Sequence, residues 1–210
     1  MSDLNALAAL IGEAALIRDA DRKERYLRDW PGKRRGVALA VLRPANTEDV
    51  ARIMRWASAS GTPVVPQGGN TGLAGGALPP EDGRGVILSL ERMSAIRALS
   101  VDARTMTVEA GCTLATVQEA ADRAGLYFPL SLASEGSCTI GGNLATNAGG
   151  INVLRYGNAR DLCLGIEAVT ADGGILNLLG GLRKDNTWLD LKDLLIGSEG
   201  VLAVVTAATI

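Results

Sequence analysis

The 210-residue sequence predicts an α+β fold of two small lobes that meet around a ligand. Three observations lead there. Strand and helix signals alternate between residues 37 and 90, as in a βαβ unit. Hairpin signals take over after residue 94. Each half also carries a glycine-rich segment, Pro66-Gln67-Gly68-Gly69-Asn70-Thr71-Gly72 in the first and Gly136 to Gly150 in the second.

The elements follow in order. Leu4, Leu7, Ala8, Leu10, Ile11, Ala14 and Ala15 have helical spacing behind Asp3 as N-cap, which predicts an amphipathic helix packed on the body. Asp19 to Gly36 is polar and reads as irregular, so residues 1–36 form a lead-in. The first lobe, residues 37–93, begins with a strand over Val37–Leu42 ended by Arg43-Pro44. Thr47 caps a helix over Glu48–Ser60, with Val50, Ile53, Met54 and Ala57 on one face and Gly61 closing it. Pro63-Val64-Val65 is the next strand, the first glycine-rich loop follows at once, and Val86–Leu90 is the third strand. In the second lobe, residues 94–210, Ile96–Val101 and Thr105–Ala110 pair across Asp102-Ala103-Arg104. Leu114–Ala124 is a helix stopped by Gly125. Leu164–Thr170 and Gly174–Leu178 pair across Ala171-Asp172-Gly173. A short helix over Leu189–Leu195 and a strand over Val201–Ile210 complete the chain. An apolar strand running to the last residue reads as a cut inside a larger protein.

Composition narrows the function classes. With 47% apolar and 21% charged residues a packed core is expected. Only 3% aromatic residues and a net charge of −2 argue against nucleic-acid partners, which need stacking platforms or basic surfaces. There is no histidine, which removes histidine acid/base chemistry, histidine metal ligands and a histidyl-linked flavin from this chain. Cys112, Cys138 and Cys163 are too far apart for a metal knuckle or a redox pair and read as reduced, buried thiols of a cytoplasmic protein. No apolar run reaches the roughly 18 residues a membrane-spanning helix needs.

The glycine loops fit neither the Rossmann fingerprint nor the P-loop. Gly68, Gly69 and Gly72 directly follow a strand, and Asn70 and Thr71 add short polar side chains within reach of phosphate oxygens. A plain turn needs two or three special residues and does not account for glycines this dense, so a ligand reading is favoured. Bare backbone there lets successive N–H groups converge on an anion. In the second loop, Ile140-Gly141-Gly142 and Asn147-Ala148-Gly149-Gly150 bracket Leu144-Ala145-Thr146, which suits either a flat ring system or close packing of two backbone segments. A ligand with phosphates at one place and a flat body at another, such as FAD, satisfies both loops. A third segment, Ile196-Gly197-Ser198-Glu199-Gly200, offers Glu199 either as an acceptor for a ligand or as a solvated carboxylate. The charged runs Arg22-Lys23-Glu24-Arg25 and Lys33-Arg34-Arg35 read as solvated faces.

Taken together, PQGGNTG at 66–72, GSCTIGGNLATNAGG at 136–150, LRYG at 154–157, LRKDNT at 182–187 and DLKDLLIGSEG at 190–200 resemble the FAD-binding (PCMH-type) domain of the vanillyl-alcohol oxidase/p-cresol methylhydroxylase superfamily. The likeness is greatest to its D-2-hydroxyglutarate, D-lactate and glycolate dehydrogenase group and runs from about Tyr26 to the C-terminus. The resemblance implies non-covalent FAD, with the pyrophosphate on the amides from Gln67 to Gly72 behind Pro66. Gly136, Ser137, Ile140, Gly141, Gly142, Asn143, Thr146, Asn147, Gly149 and Gly150 would run along the ribityl chain and the isoalloxazine. Gly157 would permit a close turn, and Glu199, Gly200 and Val205 would line the adenosine or flavin side. Two departures are Trp188-Leu189 in place of Gly-Tyr, which adds bulk there, and Val201-Leu202-Ala203 in place of Thr-Leu-Gly.

The implied reaction is oxidation of a small 2-hydroxy acid, with the C2 hydride passing to flavin N5 and electrons leaving to a carrier protein or quinone. Relatives of this kind continue into a substrate-binding cap and a histidine-rich metal site that supply the base and the metal. This chain is therefore expected to be the cofactor-binding part only, or a non-catalytic FAD module, or an FAD subunit acting on D-lactate or glycolate, with a homodimer as one candidate assembly. Gly69 is expected at positive φ close to a phosphate, so that Gly69→Val would abolish FAD binding while sparing secondary structure. Should the chain itself prove active, the base would be sought among Glu109, Glu135 and Glu199.

Overall fold

The computed structural model describes residues 4–187 and 189–210. Asp3, expected as a helix cap, and Trp188 lie outside the described residues. The first helix, α1 (Leu4–Ile11), stops early because Gly12 takes φ 87°, outside helical space. A 3-10 turn at Glu13–Ala15 and strand β1 (Leu16–Ile17) follow. The polar stretch after it, expected to be irregular, contains α2 (Ala20–Leu27). Its cap is local: Asp19 Oδ1 accepts from the Arg22 N–H at 2.9 Å, while Tyr26 and Leu27 bury the inner face.

Strand β2 is only Val41–Leu42, since residues 37–40 bend at Leu39 and make isolated backbone bonds to Pro80, Gly85 and Ile87 without completing a ladder. Helix α3 (Thr47–Ser60) is capped by Asn46 rather than Thr47; Asn46 Oδ1 accepts from Asp49 N at 2.8 Å, and Gly61 at φ 64° ends the helix. Strands β3 (Val64–Gln67) and β4 (Val86–Ser89) complete a first sheet of order β1-β2-β4-β3. β4 lies parallel to both β2 and β3, and β1 is antiparallel at the edge.

The second half follows the expected hairpins. Strands β5 (Ile96–Ser100) and β6 (Thr105–Glu109) pair antiparallel, and α4 (Leu114–Arg123) follows. Next come α5 (Ile140–Ala145) and α6 (Val153–Tyr156). Strands β7 (Gly165–Thr170) and β8 (Ile175–Leu178), helix α7 (Leu191–Leu195) and strand β9 (Ala203–Thr209) complete the chain. The order of this second sheet is β5-β6-β9-β7-β8, antiparallel throughout, with all seven residues of β9 buried.

One apolar core joins the two sheets: Leu42, Ile53 and Leu88 belong to the same cluster as Val108, Leu114, Ile166 and Val204. Each such side chain contributes roughly 1.5–3 kcal/mol by leaving water. A buried carboxylate crosses the same seam. Glu167 on β7 accepts from Thr47 Oγ1 of α3 at 2.6 Å, from Thr206 Oγ1 of β9 at 2.9 Å, and from Arg97 Nη1 of β5 at 3.1 Å. Burial opposes its ionisation, but the two hydroxyls and the guanidinium outweigh that and hold its carboxyl below the usual range.

Candidate functional site

The first glycine loop leaves the sheet at the carboxyl end of β3, the edge where open α/β sheets receive ligands. Among the described residues, the backbone N–H groups of Gly68, Gly69, Asn70, Thr71 and Gly72 donate to no protein acceptor. Asn70 sits at φ 52°, in the left-handed region, and bends the chain in the middle of this run of donors. Gly69, expected at positive φ, is not there; what bars a side chain at Gly69 is the second loop, because a Cβ would stand 1.9 Å from the Ser137 carbonyl oxygen. At Gly72 a Cβ would meet nothing within 4 Å, so that side of the loop is open.

Two side chains of this motif are committed to protein carbonyls. Gln67 is buried, and its Nε2 donates to the Tyr26 and Ala77 carbonyls at 2.9 Å each. Asn70 Nδ2, expected near phosphate oxygens, donates to the Arg28 carbonyl at 2.7 Å. Thr71 makes no such bond among the described residues and remains beside the free amides.

The second loop divides into two kinds of position. Gly141 and Gly150 are packing glycines: a Cβ would lie 2.6 Å from Ala110 Cβ in the one case and 2.1 Å from the Ser131 carbonyl oxygen in the other. Ile140 and Asn143 are buried, with Asn143 Nδ2 on Cys138 Sγ at 3.6 Å. Thr139 Oγ1 caps α5 by accepting from Gly142 N, so the helix begins at Ile140 and takes the glycine pair into its first turn. At Gly136, Gly142 and Gly149, by contrast, no atom lies within 3.0 Å of a would-be Cβ. Thr146 Oγ1 donates to the Gly142 carbonyl, and Asn147, at φ 48°, accepts from Arg160 N at 3.0 Å. Gly157, at φ 80°, makes the tight turn expected of it, where a Cβ would collide with Asp161.

The third segment docks on the second: Gly197 N donates to the Leu144 carbonyl and Glu199 N to the Ala145 carbonyl. Glu199 (φ 52°) and Gly200 (φ 80°) both take left-handed conformations, bringing Gly200 against Pro66 and the exposed Glu199 carboxylate toward Gly76. Val205 is buried in β9. The three segments therefore converge on the loop after β3. One cleft of about 530 Å³ is lined by Gln67–Asn70, Gly136, Ser137 and Thr139; another of about 520 Å³ is lined by Pro66, Gly76, Glu199 and Gly200.

Arg160 was not legible as a site residue. Its Nη2 donates to the Ile196 carbonyl at 2.8 Å and its Nη1 to the Asp193 carbonyl, which ties the second loop to the third. Two other carboxylates, Glu135 and Glu109, are engaged. Ser131 Oγ, then Gln118 Nε2 and Leu132 N, donate to Glu135 and hold its carboxyl below the usual range. Glu109 accepts from Ala95 N and pairs with Arg97. All three thiols are free and buried, and burial pushes Cys112 and Cys163 up to about 11.

This arrangement fits a dinucleotide: idle amides for a diphosphate, small residues where a flat body needs room, and two clefts sharing one loop. Comparison with known proteins agrees. Residues 38–179 match the FAD binding domain family. Over 208 residues the chain is 43% identical to D-2-hydroxyglutarate dehydrogenase, mitochondrial, of Arabidopsis thaliana and 44% identical to that of Bos taurus. It aligns over 99% of its own length but spans only 37% and 38% of those relatives. A solved alkyldihydroxyacetonephosphate synthase superposes with a TM-score of 0.86 at 21% identity, over 98% of this chain and 39% of that one, which shows the shared fold. The chain belongs to the FAD-binding domain family, with FAD as its cofactor.

Proposed function

We propose that this chain is the FAD-holding part of a D-2-hydroxyacid dehydrogenase of the D-2-hydroxyglutarate type. The observation that carries the reading is the unpartnered amide run Gly68–Gly72 at the end of β3, faced by the second glycine loop. In this reading those amides hold the diphosphate, and Gly136, Gly142 and Gly149 leave room for the ribityl chain and ring. Glu199 and Gly200 border the second cleft. When bound, FAD supplies the two-electron acceptor for a 2-hydroxy acid.

Removing the hydroxyl proton needs a positioned base, a contribution of about 10²–10⁴-fold. Glu135 and Glu109 are held by hydrogen bonds and ion pairs, the sequence has no histidine, and Glu199 is exposed with no hydrogen bond among the described residues to fix its carboxylate in one position. We therefore assign the base, the substrate clamp and any metal to residues outside these 210, with a carrier protein or quinone as electron acceptor. The test is anaerobic: the chain is loaded with FAD and mixed with D-2-hydroxyglutarate, D-lactate or glycolate, with and without a divalent metal. FAD should bind and stay oxidised. Stoichiometric bleaching would place the base inside this chain, and failure to bind FAD would overturn the whole reading.

A further inference from the structure

We propose that residues 26–36 form a clasp that sets the shape of the diphosphate loop, with Gln67 and Asn70 as positioning residues rather than ligands. The inference rests on the FAD reading above and concerns what keeps that loop ready for its anion. Five successive N–H groups without acceptors make a poorly self-supported loop, because none of these donors ties it to the rest of the protein. Some other part of the molecule must hold it open.

The N-terminal segment makes the contacts that do so. Gln67 Nε2, where the loop begins, donates to the Tyr26 carbonyl and also to the Ala77 carbonyl, joining the two ends of the excursion. Asn70 Nδ2, at the bend itself, donates to the Arg28 carbonyl at 2.7 Å. The Arg34 guanidinium donates to the Ala74 carbonyl and lies against Gly75, itself at φ 80°. The loop is thus gripped at its start, its bend, its far side and its end by four carbonyl contacts, three of them involving residues 26–34.

The clasp is itself rigid. Asp29 is 6% exposed, and its Oδ1 accepts from Lys33 N at 2.7 Å and Arg34 N at 2.9 Å. Gly32 N donates to the Asp29 carbonyl, Asp29 N to the Arg34 carbonyl, and Gly36 N to the Leu27 carbonyl. Tyr26 and Leu27 are buried in a small cluster with Ile17, Val41 and Ile87, which fixes the segment to the first sheet. An anchored turn on one side and two carboxamides on the other leave Asn70 in the left-handed conformation with its side chain committed. Its part in cofactor binding is then to hold the amides of residues 68–72 in place.

Positioning of this kind is reciprocal: whatever the clasp gives to FAD binding, bound FAD must give back to the clasp. Amide hydrogen exchange across residues 26–36 is therefore measured with and without FAD, alongside FAD titrations, for the wild type, Asn70→Gly and Asp29→Asn. Glycine keeps the left-handed bend available and removes only the side-chain bond. Asp29→Asn alters only the turn within the clasp. In the wild type, FAD should slow exchange in residues 26–36. In Asn70→Gly the dissociation constant should rise about 3- to 10-fold, as for one lost hydrogen bond, and the FAD-linked slowing should vanish. Asp29→Asn should weaken FAD in the same direction from outside both glycine loops. Wild-type FAD affinity in Asn70→Gly would overturn the clasp. So would weakened affinity with the slowing intact, which would make Asn70 a direct ligand. If the wild type binds FAD but residues 26–36 do not respond, the clasp alone fails; if it binds no FAD, the reading of the site fails with it.

Discussion

Replacing Gly69 by alanine separates the two glycine loops, and the structure gives the size of the effect. The new Cβ would lie 1.9 Å from the Ser137 carbonyl oxygen and 2.8 Å from its carbon, both backbone atoms that cannot swing aside. The loops must part by about 1.1 Å before that contact reaches 3.0 Å, the limit that real Cβ atoms respect. Overpacking of this kind costs about 1–3 kcal/mol of stability in the cofactor-free protein. A displacement of about 1 Å also takes the Gly69 and Asn70 amides out of the 2.7–3.2 Å range of a hydrogen bond to a phosphate oxygen. Two bonds to a charged group at about 1.5–3 kcal/mol each amount to a loss in FAD affinity of at least about 100-fold. Gly72→Ala is the matched control, because a Cβ there meets nothing within 4 Å and the backbone is not left-handed. It should leave the cofactor-free protein within about 0.5 kcal/mol of wild type. Calorimetric melting of the cofactor-free variants and FAD titration by flavin fluorescence read both quantities. Wild-type FAD affinity in Gly69→Ala would refute the claim that the joined loops hold the diphosphate.

Two further outcomes are expected. All flavin should appear in the supernatant after acid precipitation, since the sequence has no histidine and Cys138 is buried against Asn143; yellow colour in the denatured pellet would show a covalent link. Glu167 should make stability depend on pH at the acid end. Its folded carboxyl titrates below the ordinary 4.5, so its contribution is complete above that value and is lost as pH falls through the lowered folded value. Glu167→Gln should cost about 1.5–3 kcal/mol at pH 7 and flatten the urea midpoint against pH below 4.5; an unchanged acid limb would remove Glu167 from the seam.

Much of this architecture was legible because the residues that end elements are chemically unambiguous. Gly61 and Gly173 take the left-handed conformations that a helix end and a hairpin turn require, and both elements fall where the sequence puts them. Helix α2 was missed because it lacks a broad apolar stripe: only Tyr26 and Leu27 are buried, and Asp19 supplies its start. The Asn46/Thr47 exchange of roles reflects two adjacent residues that both cap well, the second being drawn off by Glu167. In the site, glycine density pointed to the right loops but could not sort them. A glycine shows that a Cβ is unwelcome without showing on which side, so Gly141 and Gly150 read like Gly72 and Gly136 until neighbouring atoms are placed. Gln67 and Asn70 look like ligands for the same reason: a carboxamide's partner can be a carbonyl forty residues away in sequence.

The place of β9 in the second sheet constrains how the protein can be made. It lies between β6 and β7, and every residue in it is buried, yet of the strands in these two sheets it is the last to leave the ribosome. Until it arrives, the β5–β6 and β7–β8 hairpins have no partner between them, and each presents an unpaired strand edge. The first sheet, whose strands all lie before residue 90, has no such wait. Synthesis therefore passes through a stage with one sheet closed and one held open, in which the second glycine loop has no β9 beneath it and the exposed edges invite chaperones or mispairing. Substitutions that weaken β9 should lower the yield of folded protein more than their cost in equilibrium stability would indicate.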